Sequence, residues 1–367
     1  MENLVALLIF LPFLLALFPA LISNEKVRGL TVYIGGAIIA VCAVVTAFFW
    51  FADGGTMVFD LPGTEMIDHI ILAGDFVLMF IIIWLSVKHH KTVISLLSIV
   101  QTALVVWAEK FGPKVSAGAH IRLDWLSFIM ILIIGIIGVA IGVYAVGYMR
   151  GYQEHHRDVK DRRRFFFSMI FLFYGAMFGL VTSMNIIWLY FFWEITSVCS
   201  FLLIGYTGTK EAVDNSFRAL WMNLLGGLAI AVAIVYAIYM EGTLNLYDII
   251  ENGKNMGVLV PVAMFAFAAL TKSVSVFRLA AGRDGGAYPV FRAFTQRDNG
   301  KSGRLYAASP FDRHERQLCR TDGLYYRRFY VLCGVAACDF PERRKKGACL
   351  LDDFQSWPYC GLCRRRV

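Results

Sequence analysis

Long apolar segments recur along the first three quarters of the chain, and they restrict its fold more than any other feature. A helix needs about 20 apolar residues to cross a bilayer. With 17% charged residues, against about 25% in soluble domains, the composition argues against a soluble enzyme and against disorder. We therefore predict an all-α, polytopic membrane protein with nine spans, at Leu4–Ile22, Leu30–Phe51, Ile70–Val87, Thr92–Ala108, Leu126–Tyr148, Phe165–Val181, Ile186–Tyr206, Ala219–Met240 and Val258–Thr271.

The loops between these spans predict an orientation. The loops after spans 1, 3, 5 and 7 hold 12 Lys and Arg residues in total, whereas the other four loops hold 4. Cytoplasmic loops are the more basic ones, which predicts a multi-pass protein of the inner, cytoplasmic membrane with Met1 outside. The loop Arg150–Arg164 is the most basic. Topology alone explains it, and a docking site for a cytoplasmic partner or an anionic lipid is the alternative.

Charged side chains inside the spans are the best indication of function. A carboxylate or an amine near the bilayer centre costs about 2.5–3.5 kcal/mol, so it is expected to face protein or water on a proton or ion pathway. Glu194 lies nine residues into the seventh span, too deep to reach the membrane surface. Lys272 follows the ninth span and could extend to the interface, and Asp75 could belong to an interfacial turn. The alternative for Glu194 is a structural ion pair between helices.

Four sequence elements resemble one membrane protein family. Trp193–Gly205 is similar to the Trp-Glu segment of the antiporter-like subunits of respiratory complex I, which are shared with Mrp-type cation/proton antiporters and energy-converting hydrogenases. Arg122–Ser127, Trp221–Leu228 and Leu270–Ser273 resemble the family's Arg-Leu-Asp-Gly-Leu-Ser element, the next helix and a Thr-Lys-Ser element of a broken helix. The Gly226-Gly227 pair, where complex I has Gly-Asp, favours the Mrp and hydrogenase branches. The two extra spans before Arg122, Ile70–Val87 and Thr92–Ala108, favour the hydrogenase-like branch.

The resemblance implies a fold, a function and two site residues. It implies the N-terminal bundle of an inverted-repeat fold, with about four helices in residues 1–118 and an antiporter-like bundle of about five in residues 119–277. Glu194 and Lys272 correspond to the family's coupled pair on the proton path, so the chain is predicted to translocate protons or to exchange cations for protons. It would be a non-redox subunit of an oxidoreductase, hydrogenase or Mrp-type complex. It would have other membrane subunits and the lipid bilayer as partners, and no catalytic centre, cofactor, metal or nucleic acid.

Residues 278–367 form a basic tail that does not continue the family. The tail holds 18 basic and 9 acidic residues, against 17 and 18 in residues 1–277, and it contains six of the eight cysteines. If the codons of Leu279–Asp284 are read from their second base, they permit Trp-Leu-Pro-Gly-Ala-Met, which is similar to the family sequence after Thr-Lys-Ser. A shifted reading frame after about Phe277 therefore accounts for the tail, and predicts a disordered segment on a truncated, inactive product.

Two alternatives to this interpretation remain open. The first is a membrane-anchored binding protein whose cytoplasmic tail binds zinc through Cys333, Cys338, Cys360 and Cys363. No histidine flanks either pair, and the first spacing is wide for a zinc site. The second is a single-chain antiporter without partners, against which the absence of a second bundle argues.

Overall fold

The computed structural model describes residues 1–53, 55–61, 63–113, 115, 119–156, 159–251 and 259–281. Within these residues the chain is almost entirely helical. The helices are α1 (Glu2–Leu21), α2 (Glu25–Asp53), α3 (Thr64–Lys88), α4 (Thr92–Phe111), α5 (Trp125–Leu132), α6 (Val139–His155), α7 (Arg163–Thr182), α8 (Ile186–Ile204), α9 (Lys210–Tyr236), α10 (Leu246–Glu251) and α11 (Leu259–Ala281). The all-α, polytopic fold class predicted from the sequence is confirmed.

Eight helical segments in the described residues are long and apolar enough to cross a membrane, and they coincide with the first eight predicted spans. The α5–α6 pair counts as one of them. The ninth predicted span corresponds to α11, whose apolar part, Val260–Ser273, is shorter. The third span begins six residues earlier than predicted, at Thr64, because its first turns carry the polar residues Glu65 and Asp68.

The helices pack around α7 and α8, which are almost completely surrounded by protein. Helix α7 lies against α1 and α8, and α8 lies against α9 and α3. Helices α3 and α4 form a hairpin that closes one side, since α4 packs on both α3 and α9. Helix α11 packs along α9. The hairpin thus contacts α8 through α3 and α9 through α4, while α11 contacts α9. These contacts place polar side chains of the hairpin and of α11 in the interior of the bundle.

Side-chain caps define where three of the helices begin. The side chains of Asp124, Asn185 and Thr209 accept hydrogen bonds from backbone amides in the first turns of α5, α8 and α9. Such caps satisfy amide groups that have no partner within the helix. Between α8 and α9 the chain turns at Gly208, whose φ of 69° favours a residue without a Cβ atom. The connection can therefore be short.

The fifth span contains a π-helical segment, Ile133–Gly138, between α5 and α6. The Tyr174 hydroxyl of α7 donates a hydrogen bond to the Gly138 carbonyl oxygen at 2.8 Å. A Cβ atom on Gly135 would collide with Ala43 of α2. The segment is therefore held by close contacts with two neighbouring helices.

A short antiparallel ribbon joins the loops at one end of the bundle. Strand β1 (Met57–Phe59) pairs with β2 (Ile121–Leu123), with Val58 opposite Arg122. The Arg122 guanidinium lies 3.6 Å from the centre of the Tyr247 ring, and the Tyr247 hydroxyl donates a hydrogen bond of 2.6 Å to Asp124 Oδ2. The Arg-Leu-Asp element therefore ties the ribbon, α5 and α10 together.

The domain boundaries proposed from the sequence stay predictions. The α11 backbone continues past Phe277 to Ala281. The remainder of the predicted tail, with all six of its cysteines, lies outside the described residues.

Candidate functional site: a buried acid and amine in the helix bundle

Glu194 lies in the middle of α8 and is 4% exposed. Its Oε1 atom accepts a hydrogen bond of 3.0 Å from Gln101 Nε2 of α4. On α9, a Cβ atom added to Gly227 would lie 2.6 Å from Glu194 Oε1 and 2.8 Å from Gln101 Oε1. The glycine therefore provides the space in which the carboxyl and the amide meet.

Lys272 of α11 is also 4% exposed. Its Nζ donates a hydrogen bond to Thr196 Oγ1 and lies 4.0 Å from the centre of the Trp193 ring. An ammonium ion over an indole face is attracted by the ring's quadrupole, more so where water is excluded. The alternative that Lys272 extends to the membrane surface is wrong, because its contacts with Trp193 and Thr196 of α8 hold it inside the bundle.

The structure brings the two predicted site residues to the same part of the bundle. Glu194 lies between Trp193 and Thr196 in sequence, and Lys272 contacts both of those residues. Two titratable groups that interact change each other's affinity for protons. In such an arrangement, binding of a proton at one group changes the proton affinity of the other.

Helix α11 differs from the broken helix that the resemblance implies. Its backbone is helical throughout Leu259–Ala281, including the residues around Lys272. The only helix-breaking residue in it is Pro261, in the first turn, where a missing amide costs nothing. Local sequence therefore explains the continuity of the helix.

Asp75 lies inside α3 and is 5% exposed. Its Oδ1 atom has no hydrogen-bond partner among the described residues. The preceding Gly74 packs against α8, since a Cβ atom there would lie 2.6 Å from the Phe191 ring. The expectation that Asp75 belongs to an interfacial turn is wrong. Because the first turns of α3 are polar, hydropathy places the start of the helix too late. The helix begins at Thr64, so Asp75 lies three turns inside it.

The basic loop after the fifth span is partly neutralised within the chain. Arg163 makes ion pairs with Glu25 at 2.8 Å and Asp161 at 2.9 Å, and Arg150 lies 2.9 Å from Glu25. The Arg163 side chain, as hydrogen-bond donor, lowers the pKa of Asp161. These pairs favour the topological explanation of the loop over a docking site.

Sequence reasoning missed Gln101 and assigned no role to Thr196. Gln101 is an amide near the middle of a predicted span, and that position was the available signal, since such groups seek partners inside the protein. Thr196 belongs to the Trp-Glu segment, but its place in that segment does not indicate a contact with Lys272.

Within the described residues, no group of three His, Cys, Asp or Glu side chains is arranged to hold a metal ion.

The bundle and its buried acid–amine pair define a class: polytopic membrane proteins with charged groups in the membrane interior. Comparison with known families specifies the class further. Residues 183–279 match the family model described as NADH:quinone oxidoreductase/Mrp antiporter, transmembrane. Residues 107–166 match the model described as NADH-ubiquinone oxidoreductase (complex I), chain 5 N-terminus. The two matches support the antiporter-like family of complex I and Mrp membrane subunits that the sequence elements predicted.

Individual relatives agree with this assignment. The chain is 37% identical over 158 residues to proteins named "Putative antiporter subunit mnhA2" in Staphylococcus aureus strains JH9, JH1 and Mu3. The similarity covers 42% of this chain and 19% of each relative. The chain thus matches about a fifth of the length of these relatives. The family matches begin at residue 107, so α3 and most of α4 lie before them.

Proposed function

We propose that this chain is a membrane subunit that moves protons, or exchanges cations for protons, through a pathway containing Glu194 and Lys272. The observation that carries the proposal is the burial of both groups against the same turn of α8. A buried charge is costly in a bilayer, and it is retained where a pathway or a partner requires it. The family matches of residues 107–166 and 183–279 support the same function.

The proposal includes a setting for the protein. We place it in the cytoplasmic membrane with Met1 outside, in contact with other membrane subunits of a complex I-like, hydrogenase or Mrp-type assembly. The paired loop around Arg163 is then cytoplasmic. A chain without native cysteines that carries Glu154→Cys should react with an impermeant maleimide only from the cytoplasmic side. Reaction from outside would reverse the orientation.

Proton flux in vesicles tests the function. The full chain is reconstituted into liposomes containing a pH-sensitive dye, and flux is driven by a potential or by a Na⁺ or K⁺ gradient. Glu194→Gln and Lys272→Met should each abolish the flux, because each removes a titratable group from the interior. Glu154→Gln, at an exposed position near the end of α6, is the matched control and should transport normally.

Two results would contradict the proposal. One is a flux that persists in both Glu194→Gln and Lys272→Met. The other is the absence of flux from the unaltered chain, both in liposomes and in membranes that contain its partner subunits, which is the result that a frameshifted tail on a truncated, inactive product predicts. Either would leave the buried pair as a structural contact between α8 and α11.

A further inference from the structure

The α3–α4 hairpin places a series of carboxyl groups beside Glu194. Asp75 lies next to Gly74 on α3, where an added Cβ atom would lie 2.6 Å from the Phe191 ring of α8, about one turn before Glu194. Asp68 precedes Asp75 on α3, and Glu109 lies in the last turn of α4. Asp68 and Asp75 are seven residues apart on α3, which is two helical turns and about 10 Å along the same face. The four carboxyl groups therefore lead from the end of the hairpin toward the interior.

The outer members of this series are accessible and the inner ones are not. Glu109, in the last turn of α4, is exposed, and Asp68 is partly exposed. Trp188 Nε1 of α8 donates a hydrogen bond of 2.6 Å to Asp68 Oδ1 and fixes that end of the hairpin against the bundle. Asp75 and Glu194 are buried. The series thus connects the aqueous end of the bundle with its core.

Unsatisfied oxygen atoms accompany the buried part. Among the described residues, Asp75 Oδ1, Gln101 Oε1 and Ser98 Oγ are buried without a hydrogen-bond partner. Ser98 and Gln101 are three residues apart on α4, and therefore lie on one face of that helix. A buried polar atom without a partner is costly, so such groups usually bind water, an ion or a proton that exchanges. Several of them in one region indicate a hydrated path.

We propose that the α3–α4 hairpin forms a proton entry path to Glu194, with Asp75 as the intermediate carrier and Asp68 and Glu109 at its mouth. The inference rests on the proposed transport function and goes beyond it, since the family matches begin only at residue 107. The Asp75 carboxyl gives its proton to the Glu194 carboxylate, directly or through water, and is reprotonated from the mouth. No other reactant is needed.

Gln101 is a positioning residue in this path. It comes from the hairpin and donates to Glu194 Oε1, so it aligns the receiving carboxyl with α3 and α4. Gly227 leaves room for it on α9. A larger residue in place of Gly227 would occupy the space in which Gln101 of the hairpin meets Glu194.

Carbodiimide labelling tests the path without relying on transport. Dicyclohexylcarbodiimide modifies protonated carboxyl groups in apolar surroundings, and peptide mass spectrometry locates the adduct. In the full chain in liposomes, Asp75 and Glu194 should be modified. Asp214, which is exposed and paired with Lys91 at 3.4 Å, should not be. An unmodified Asp75 would overturn the proposal.

Flux measurements separate this proposal from the proposed function. Asp75→Asn should reduce proton flux by about tenfold or more, as expected when a proton-transferring group is removed, and Asp75→Glu should restore most of it. Unchanged flux in Asp75→Asn, while Glu194→Gln is inactive, would refute the entry path and leave the function standing. Millimolar Na⁺ that blocks the labelling, together with unchanged flux in Asp75→Asn, would assign the oxygens to a cation and also overturn the path.

Discussion

Replacing Gly227 with alanine should disturb the Glu194 site directly, because the added methyl group would enter the space where Glu194 and Gln101 meet. The added Cβ atom would lie 2.6 Å from Glu194 Oε1 and 2.8 Å from Gln101 Oε1. Carbon and oxygen atoms need more than 3 Å, so the carboxyl, the amide or helix α9 must move by several tenths of an ångström. The hydrogen bond from Gln101 Nε2 to Glu194 Oε1 joins the two displaced side chains and should be lost.

The magnitude follows from three contributions. Overpacking a close-packed interior costs about 1–3 kcal/mol, and the lost hydrogen bond about 0.5–1.5 kcal/mol more. Alanine in place of glycine inside a helix gains about 1 kcal/mol. The sum is a destabilisation of about 0.5–3.5 kcal/mol. Gly147→Ala in α6 is the matched control, because its Cβ atom would meet no atom within 4 Å, and it should be neutral or stabilising.

The assay is reversible unfolding of the purified chain in mixed micelles, followed by circular dichroism as the fraction of sodium dodecyl sulfate is raised. Gly227→Ala should unfold at a lower fraction than the unaltered chain, and Gly147→Ala at the same or a higher one. Proton flux should fall only in Gly227→Ala. If the two variants unfold alike and both transport normally, the close contact at Gly227 is not what holds the carboxyl and the amide, and the reasoning is refuted.

Three other outcomes are expected. Burial and the hydrogen bond to Asp124 raise the pKa of Tyr247. The contribution of Tyr247 to stability is therefore complete below about pH 10 and is lost as the pH rises further. Tyr247→Phe should remove this alkaline loss of stability, measured as the free energy of unfolding against pH. Thr196→Val should lower the proton flux, because it removes the hydroxyl that accepts a hydrogen bond from Lys272. Ser200→Ala is the control, since the Ser200 hydroxyl donates to backbone carbonyl oxygens of α8, and its flux should be unchanged. Equal flux in the two variants would show that Thr196 has no role in transport. Purified full chain should contain less than one zinc ion per molecule by plasma mass spectrometry, and one or more would favour the tail as a metal-binding module.

Hydropathy was sufficient for the spans because a bilayer sets their length directly. The first eight predicted segments coincide with helices, and the disagreements lie at their ends, where polar residues continue a helix beyond the apolar run. Helix α10 and the β1–β2 ribbon were not predicted. Three-residue strands and a six-residue helix carry too little periodic pattern to be recognised, and the contacts of Arg122 and Tyr247 that stabilise them are far apart in sequence.

The site was predictable only in part, for a similar reason. Depth in a span indicates that Glu194 is buried, but it does not indicate which helix supplies its partner. The Gln101 contact joins residues 93 positions apart and depends on how α4 packs on α9. From hydropathy alone the positions of Lys272 and Asp75 stayed open, because each stands close to the predicted end of an apolar run, where sequence cannot distinguish a surface position from an interior one. The family resemblance is what predicted a buried Lys272.

The π-helical segment in the fifth span has a consequence for how this molecule tolerates insertions and deletions. Each residue of an α-helix advances the side chains by about 100°, and π turns are local widenings by an extra residue. The segment Ile133–Gly138 therefore sets the rotational phase of α6 independently of α5. Loss of one residue there would rotate every α6 side chain about the helix axis by about 100°. The part of the fifth span that carries Arg150 would then face new neighbours. The part that begins at the Asp124 cap would stay in place.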